Sequence, residues 1–281
     1  MVRFLSFWTS RDQNINKNLP YFARKSIERQ NWFMIKFRKF GVKHILAGIS
    51  LLLIIIFTMA FFSNTTLRFL FKDKIRAHKV NSPELLSKAN RVFSGVELDV
   101  VFYSNNNNFD INHPPDKSIG FSLDEYFRAQ AGFPDFKYWL DFKNLDETNE
   151  TQSAGCLDSL TKISGISNSN IIVESIRSKS LKPFQDKGFS TSYYLQSGLN
   201  KLSEDSLKSI LITTTDNLIS NKNSYISAEF ADYPVLKKYF PATKKLIWFS
   251  TYGSMNKISA RILMFQILMD ENVDVLLIPF S

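Results

Sequence analysis

The sequence has little cysteine and few of the motifs that mark an enzyme. Cys156 is the single cysteine in 281 residues, so no intrachain disulfide can form. There is no G-x-G-x-x-G or Walker phosphate loop, no G-x-S-x-G nucleophile motif and no D-x-D pair. The three histidines, His44, His78 and His113, lack the spacing of a zinc site. The sequence therefore predicts no metal site from its motifs.

Basic charge is concentrated near the N-terminus. The formal net charge is +9, but residues 1–44 carry ten Lys or Arg against only Asp12 and Glu28. The rest of the chain is nearly balanced, with 25 basic and 24 acidic side chains. This arm has no Gly-rich or aromatic module of the RNA-binding kind, which argues against nucleic acid as a partner.

A long uncharged run follows the basic arm. The eighteen residues 45–62, "ILAGISLLLIIIFTMAFF", contain no charge and predict a transmembrane helix, with the lipid bilayer as partner. A cleaved signal peptide is disfavoured, because no A-x-A-like site follows. The basic arm predicts a cytosolic N-terminus. The predicted domains are a cytosolic tail 1–44, the transmembrane helix 45–62, a stalk 63–92 and a lumenal α/β domain 93–281.

The lumenal part is expected to be an open α/β sheet domain, mixed or parallel. Apolar runs predict strands at 96–103, 170–176, 189–195, 207–214 and 244–251. At the C-terminus, a strand, the helical pattern of residues 257–269 and the apolar "VDVLLIPF" predict a right-handed βαβ unit. Because the last strand reads as buried on both faces, the sequence leaves open whether the domain is complete.

The best-placed candidate site is the turn inside this βαβ unit, since ligands bind beyond the carboxyl ends of parallel strands. The predicted donor-binding residues are Ser250, Thr251, Tyr252, Gly253 and Ser254. An ordinary strand-to-helix turn is the competing interpretation. Asp216 and Asp274 are candidate catalytic carboxylates, with an Asx turn and a polar helix-to-strand turn as their structural alternatives.

Two further features of the sequence are candidates for a role in glycan chemistry. The "NET" sequon at Asn149 lies in a polar, loop-like run and predicts an N-glycosylation site. The stretch "FPDFKYWLDF" offers Tyr138, Trp139 and Phe142 as an aromatic platform for a sugar, although aromatic core packing is the commoner role of such residues.

The overall layout resembles fungal type II Golgi glycosylation proteins, in particular the regulators of mannosylphosphate transfer that carry a LicD-type nucleotidyltransferase domain. The resemblance rests on "FPDFKYWLDFKNLD" with Cys156 soon after, and on "FSTSYYLQSG" followed by "LKSILITTTDNLI". The LicD catalytic region is not identifiable, so no functional residue is carried over.

That resemblance implies a Golgi membrane protein that transfers mannose or mannosylphosphate to a glycan or glycoprotein acceptor. The alternatives are a non-catalytic accessory that binds glycan or a transferase partner, and a cell-surface recognition module. A sugar nucleotide with a divalent cation such as Mn²⁺ is left open as cofactor, although no motif supports it. Convergence of Asp216, Asp232, Asp270 or Asp274 on one cleft would favour the enzyme, and a flat, filled rim the accessory.

Overall fold

The computed structural model describes residues 20–130, 132–133, 135–221, 224–249 and 257–280. The chain divides into two compact units, residues 1–61 and residues 62–281. The predicted donor-binding turn, residues 250–254, lies outside the described residues.

In its described residues the first unit contains one long helix, α1, Tyr21–Phe62, whose last residue is the first of the second unit. Its segment Gly41–Met59 has a mean hydropathy of 2.2, and none of it is buried against other residues. The hydroxyl of Thr58 donates a hydrogen bond of 2.7 Å to the carbonyl oxygen of Ile54, so this polar group is satisfied within the helix. By length and composition the segment could cross a bilayer.

The second unit is a barrel. Its strands are β1 (Ile75–His78), β2 (Gly95–Tyr103), β3 (Asn108–Ile111), β4 (Lys137–Phe142), β5 (Ile171–Ser175), β6 (Ser190–Tyr194), β7 (Tyr225–Glu229), β8 (Lys245–Trp248) and β9 (Val273–Pro279). Eight of them run parallel in the order β1, β9, β8, β7, β6, β5, β4, β2, and β2 pairs with β1 to close the ring. The remaining strand, β3, is antiparallel to β2.

Helices connect the strands, and local sequence sets several of their ends. They are α2 (Asn64–Leu70), α3 (Pro83–Ala89), α4 (Leu123–Arg128), α5 (Glu150–Ser164), α6 (Lys182–Gln185), α7 (Glu204–Ser220), α8 (Tyr233–Tyr239) and α9 (Ile258–Met269). Ser82 caps α3, and Ser122 and Glu125 form a reciprocal capping box at α4. Gly165, at a φ of 67°, ends α5 in the left-handed conformation.

Alternation along the strands builds two cores. On β2, Val96, Leu98 and Val100 belong to the large outer core between strands and helices, whereas Glu97 and Asp99 line a cavity inside the barrel. A smaller cluster fills the rest of the barrel interior with Trp139, Ile172, Leu246, Val275 and Leu277. The strands are thus covered on both faces, as parallel strands generally are.

The predicted fold class, an open sheet domain, is wrong because the sheet closes on itself. The strand that closes it, β1, lies within residues 63–92, which the sequence assigned to a stalk. The C-terminal strand–helix–strand segment is part of the barrel as β8, α9 and β9, and β9 also pairs with β1 through Ile75 and Leu276. The apolar residues of β9 are therefore paired on both edges.

The predicted strand 207–214 is also wrong, since these residues lie in α7. The Ser203 side chain accepts from the Ser206 amide at the start of the helix, and Glu204 and Asp205 occupy the first turn, where acidic side chains stabilise the helix dipole. The β-branched residues of "ILITTT" suggested a strand, but the cap and charge pattern before them prevailed.

Candidate active site

Three carboxylates converge inside the barrel. Glu97 and Asp99 project inward from β2, and Asp141 projects inward from β4, where it is the registered partner of Asp99. One oxygen from each of the three residues lies within 4.8 Å of the other two. Burial, followed by the charges of Asp99 and Asp141, raises the pKa of Glu97 well above its ordinary value. Burial also raises the pKa of Asp141.

Lys143 provides a positive charge among these acids. Its Nζ lies 2.6 Å from Asp99 Oδ1 and also forms an ion pair with Asp141. Burial alone would lower the pKa of Lys143, but the charges of Asp141 and Asp99 outweigh it, so the pKa is raised. The cluster therefore combines three acids with one fixed cation, which leaves it short of positive charge.

His78 is held next to Glu97 in a defined tautomer. Its Nδ1 lies 3.0 Å from the carbonyl oxygen of Phe249, which can only accept, so Nδ1 carries the proton and Nε2 the lone pair. That Nε2 lies 3.6 Å from Glu97 Oε2, and the same carboxylate oxygen accepts from the Lys79 amide at 2.7 Å. Burial lowers the pKa of His78 to about 4, which keeps the ring neutral at pH 7.

His113 reaches the same cavity from the segment that follows β3. The Asn112 amide donates a 3.1 Å hydrogen bond to the Asp99 carbonyl oxygen, which ties this segment to β2. The His113 side chain is half-buried. The two histidines thus approach one space from different segments, His78 from the end of β1 and His113 from the loop after β3.

The cavity has a volume of about 150 Å³ and opens at the end of the barrel where the strands finish. His78, Tyr194 and Trp248 are the last residues of β1, β6 and β8. The rings of Tyr194 and Trp248 stack with their centroids 5.9 Å apart and form one wall. In eight-stranded α/β barrels this C-terminal end is where active sites are found.

A fourth acid, Glu174, extends the row of polar side chains. Asp99, Asp141, Glu174 and Ser192 are registered partners on four neighbouring strands, so their side chains face the same interior. The Ser192 hydroxyl donates to Glu174 Oε2 at 2.8 Å. Burial, with the charge of Asp141 in addition, raises the pKa of Glu174 to about 8.

Known proteins resemble this chain in fold alone. No protein-family model matches the sequence, and no curated protein matches it. Two solved barrels are similar in structure, both described as glycerophosphodiester phosphodiesterases. The one from Silicibacter pomeroyi has 11% identity and a TM-score of 0.52, over 73% of this chain and 88% of its own. The one from Galdieria sulphuraria has 14% identity and a TM-score of 0.50, over 73% and 92%.

These findings overturn the resemblance to Golgi mannosylation proteins. The prediction that the chain acts in mannosyl or mannosylphosphate transfer is wrong, because the similar structures are phosphodiesterase barrels. The accessory alternative was tied to a flat, filled rim, whereas the barrel end holds a cavity lined by charged side chains. A divalent cation has a candidate site at Glu97, Asp99 and Asp141. Nothing supports a sugar nucleotide.

The carboxylates singled out from the sequence lie elsewhere on the barrel. Asp216 lies on the exposed side of α7. Asp274, near the start of β9, accepts from the Tyr225 hydroxyl at 2.8 Å and from Lys244 at 3.0 Å. It is therefore at the opposite end of the barrel from the cavity.

Asp232 and Asp270 have local structural partners. Asp232 accepts from the amides of Gly198 and Asn200 at 2.7 and 2.9 Å. Asp270 accepts from Tyr233 and Lys237, and these and other hydrogen bonds overcome its burial and lower its pKa to about 2. Each carboxylate thus connects its own segment to another segment more than thirty residues away in the sequence.

The remaining candidates from the sequence are the sequon asparagine and the aromatic platform. Asn149 is buried, and its side-chain amide donates a 2.8 Å hydrogen bond to the Asn144 carbonyl oxygen. Glycosylation of Asn149 stays a prediction, and it would require this hydrogen bond to break. Of the aromatic platform, Trp139 lines the cavity, whereas Tyr138 and Phe142 pack in the outer core.

None of the charged residues that line the cavity was predicted from the sequence. Residues 96–103 were predicted as a strand, but no role was predicted for Glu97 and Asp99 within it. His78 was assigned to the stalk and His113 to a loop. A signal was present, because Glu97 and Asp99 are charged residues spaced by two within an otherwise apolar strand, and Asp141 near the end of β4 is followed two residues later by Lys143. Buried charges are expensive unless they are paired or bind a ligand, so such spacing marks a candidate site.

Proposed function

We propose that this protein is a metal-dependent phosphodiesterase that hydrolyses a small phosphodiester of the glycerophosphodiester class. One observation carries the proposal: four carboxylates, two histidines and two lysines line one cavity at the C-terminal end of an eight-stranded barrel, and three of the carboxylates lie close enough together to hold one cation. The description of two similarly folded barrels as phosphodiesterases of that class supports the choice of substrate.

The three carboxylates would hold the divalent cation. Glu97, Asp99 and Asp141 offer only oxygen ligands, which suit Mg²⁺, Ca²⁺ and Mn²⁺. The fit is supported by the charge balance, because the pKa of Glu97 and that of Asp141 are raised while Lys143 supplies only one positive charge. When bound, such a cation polarises a phosphoryl oxygen.

The chain's own residues divide the proton transfers. His78 is neutral at pH 7 and presents its Nε2 lone pair, so it accepts the proton from the attacking water. His113 gives a proton to the alcohol oxygen as its bond to phosphorus breaks. Lys143 counters the negative charge of the phosphoryl oxygens. The products are one phosphomonoester and one alcohol.

The histidines provide the test. Hydrolysis of glycerophosphocholine, glycerophosphoethanolamine and glycerophosphoinositol by the full chain is measured in nanodiscs with Mg²⁺, Ca²⁺ or Mn²⁺. We expect His78→Ala and His113→Ala each to lower kcat/KM by about 10²–10⁴-fold. His44→Ala, in α1, is the matched control and retains wild-type activity. Wild-type rates in both cavity variants, or no hydrolysis by the wild type, would refute the proposal.

A further inference from the structure

A second cavity adjoins the candidate active site. It has a volume of about 390 Å³ and lies between α7 and the ends of β5 and β6. Tyr194 lines both this groove and the catalytic cavity. The two spaces therefore meet at this side chain, whose ring stacks on Trp248.

The lining of the groove is largely apolar. Its apolar lining residues are Ile176, Tyr193, Leu195 and Ile210, and its polar ones are Gln196, Ser209 and Thr213. Ile176 is 62% exposed, although it directly follows β5 at the rim of the active site. An exposed isoleucine beside a catalytic cavity gains free energy when an apolar group covers it.

The helix that borders the groove packs loosely. Of the seventeen residues of α7, Thr214 is the one buried residue, and Ile212 and Ile219 are 55% and 67% exposed. The polar residues Ser209 and Thr213 face the groove from this helix. Leu207, Ile210 and Leu218 of this helix pack against the core only in part, and the groove lies open beside Ser209, Ile210 and Thr213.

We propose that this groove binds the hydrocarbon chain of the substrate, so that the preferred phosphodiester is a single-chain lipid such as a lysophospholipid. The inference rests on the proposed function for the position of the phosphodiester. With the phosphate in the cavity, the alcohol portion extends past Tyr194, and its chain covers Ile176 and Ile210. Each methylene that becomes buried contributes roughly a fourfold gain in affinity.

The first test is chain-length dependence. The full chain in nanodiscs is assayed with glycerophosphocholine and with its hexanoyl and decanoyl lyso derivatives. In the wild type, kcat/KM is expected to rise with chain length. Ile176→Asn removes an apolar lining residue, and Ser209→Trp fills the groove. In each variant the ratio of kcat/KM for the decanoyl derivative to kcat/KM for glycerophosphocholine should fall at least tenfold. Ile212→Asn, an equally exposed isoleucine outside the groove, is the matched control and keeps the rise.

A labelling experiment separates failure of the groove from failure of the catalytic proposal. Decyl phosphocholine with a terminal diazirine is photolysed with the His78→Ala protein. Label in residues 193–213, lost in Ser209→Trp, supports the groove even if no phosphodiester is hydrolysed. Hydrolysis without chain-length dependence, equal flattening by Ile212→Asn, or label elsewhere on the barrel overturns the groove while leaving the catalytic proposal intact.

Discussion

Lys143 lies between two carboxylates in a cavity that holds more acidic than basic groups. Its ammonium contacts Asp99 and Asp141, while Glu97 is bonded to the Lys79 amide and Glu174 to the Ser192 hydroxyl. Removing one partner from such a buried network generally costs more than the pair contributes, because the other charge is left desolvated. Truncation of Lys143, Asp99 or Asp141 is therefore expected to destabilise the barrel.

The burial of Glu174 makes the metal-free protein less stable at alkaline pH. Its pKa is raised from 4.5 to about 8, first by burial and then by Asp141. The folded barrel keeps a proton that the unfolded chain releases, so this contribution is full below pH 4.5 and is lost as pH rises through 8. In EDTA at pH 8.5, Glu174→Gln is expected to be more stable than the wild type by roughly 2–4 kcal/mol.

Urea unfolding at pH 5 and pH 8.5 measures this difference. The gain from Glu174→Gln should shrink at pH 5, where both side chains are neutral. Glu147→Gln, at an exposed position, is the control and should shift stability equally at both values. A Glu174→Gln effect that is independent of pH would show that Glu174 keeps its charge in the folded barrel.

At the scale of elements, the pairing of β2 with β4 depends on the absence of a side chain at Gly95. A Cβ at this position would lie 2.6 Å from the carbonyl oxygen of Lys137, its registered partner. Backbone cannot yield as a flexible side chain can, so Gly95→Ala is expected to destabilise the barrel by about 1–3 kcal/mol.

A second glycine gives the matched control. Gly155 lies inside α5, and a Cβ there would meet nothing within 4 Å. Gly155→Ala is therefore expected to stabilise the barrel by about 0.5–1 kcal/mol, since alanine loses less backbone entropy in a helix. Thermal unfolding of both variants measures the two changes in stability. Destabilisation of similar size at both positions would contradict the predicted clash between a Cβ at residue 95 and the Lys137 carbonyl oxygen.

Local signals predicted elements well, because they act within a few residues. The strand predicted at 96–103 and the helix predicted at 257–269 are observed where the sequence placed them, as β2 and α9. Closure of the barrel depends instead on β1 pairing with β9, about 200 residues later. A strand has the same apolar pattern in an open sheet and in a closed one, so the pattern could not distinguish them.

The candidate site was hidden for the same reason. His78, Glu97, His113 and Asp141 come from three strands and one loop, and no short motif contains them together. The available signal was charged residues at alternate positions of buried strands. This pattern is less specific than the aromatic stretch and the sequon, which were selected as candidates from the sequence. Asp216 and Asp274 were predicted as residues of turns, but Asp216 lies within α7 and Asp274 near the start of β9, away from the cavity.

At the scale of the whole molecule, fold similarity and site chemistry carry different weight. Identities of 11% and 14% to the two phosphodiesterase barrels establish an architecture and leave the reaction to be argued from the cavity. The membrane location of α1 stays a prediction that rests on the apolar segment Gly41–Met59 and the basic residues before it. The Golgi location was implied only by the resemblance that the similar folds overturn.

The most direct measurement of the central claim is release of phosphomonoester from glycerophosphocholine as a function of divalent cation concentration. EDTA-treated wild type should be inactive and should recover with Mg²⁺, Ca²⁺ or Mn²⁺ in a saturable manner. Asp99→Asn should need a cation concentration at least tenfold higher for half-recovery, because it removes one of three charged ligands. Full activity in EDTA, or identical cation dependence in the variant, would contradict the account.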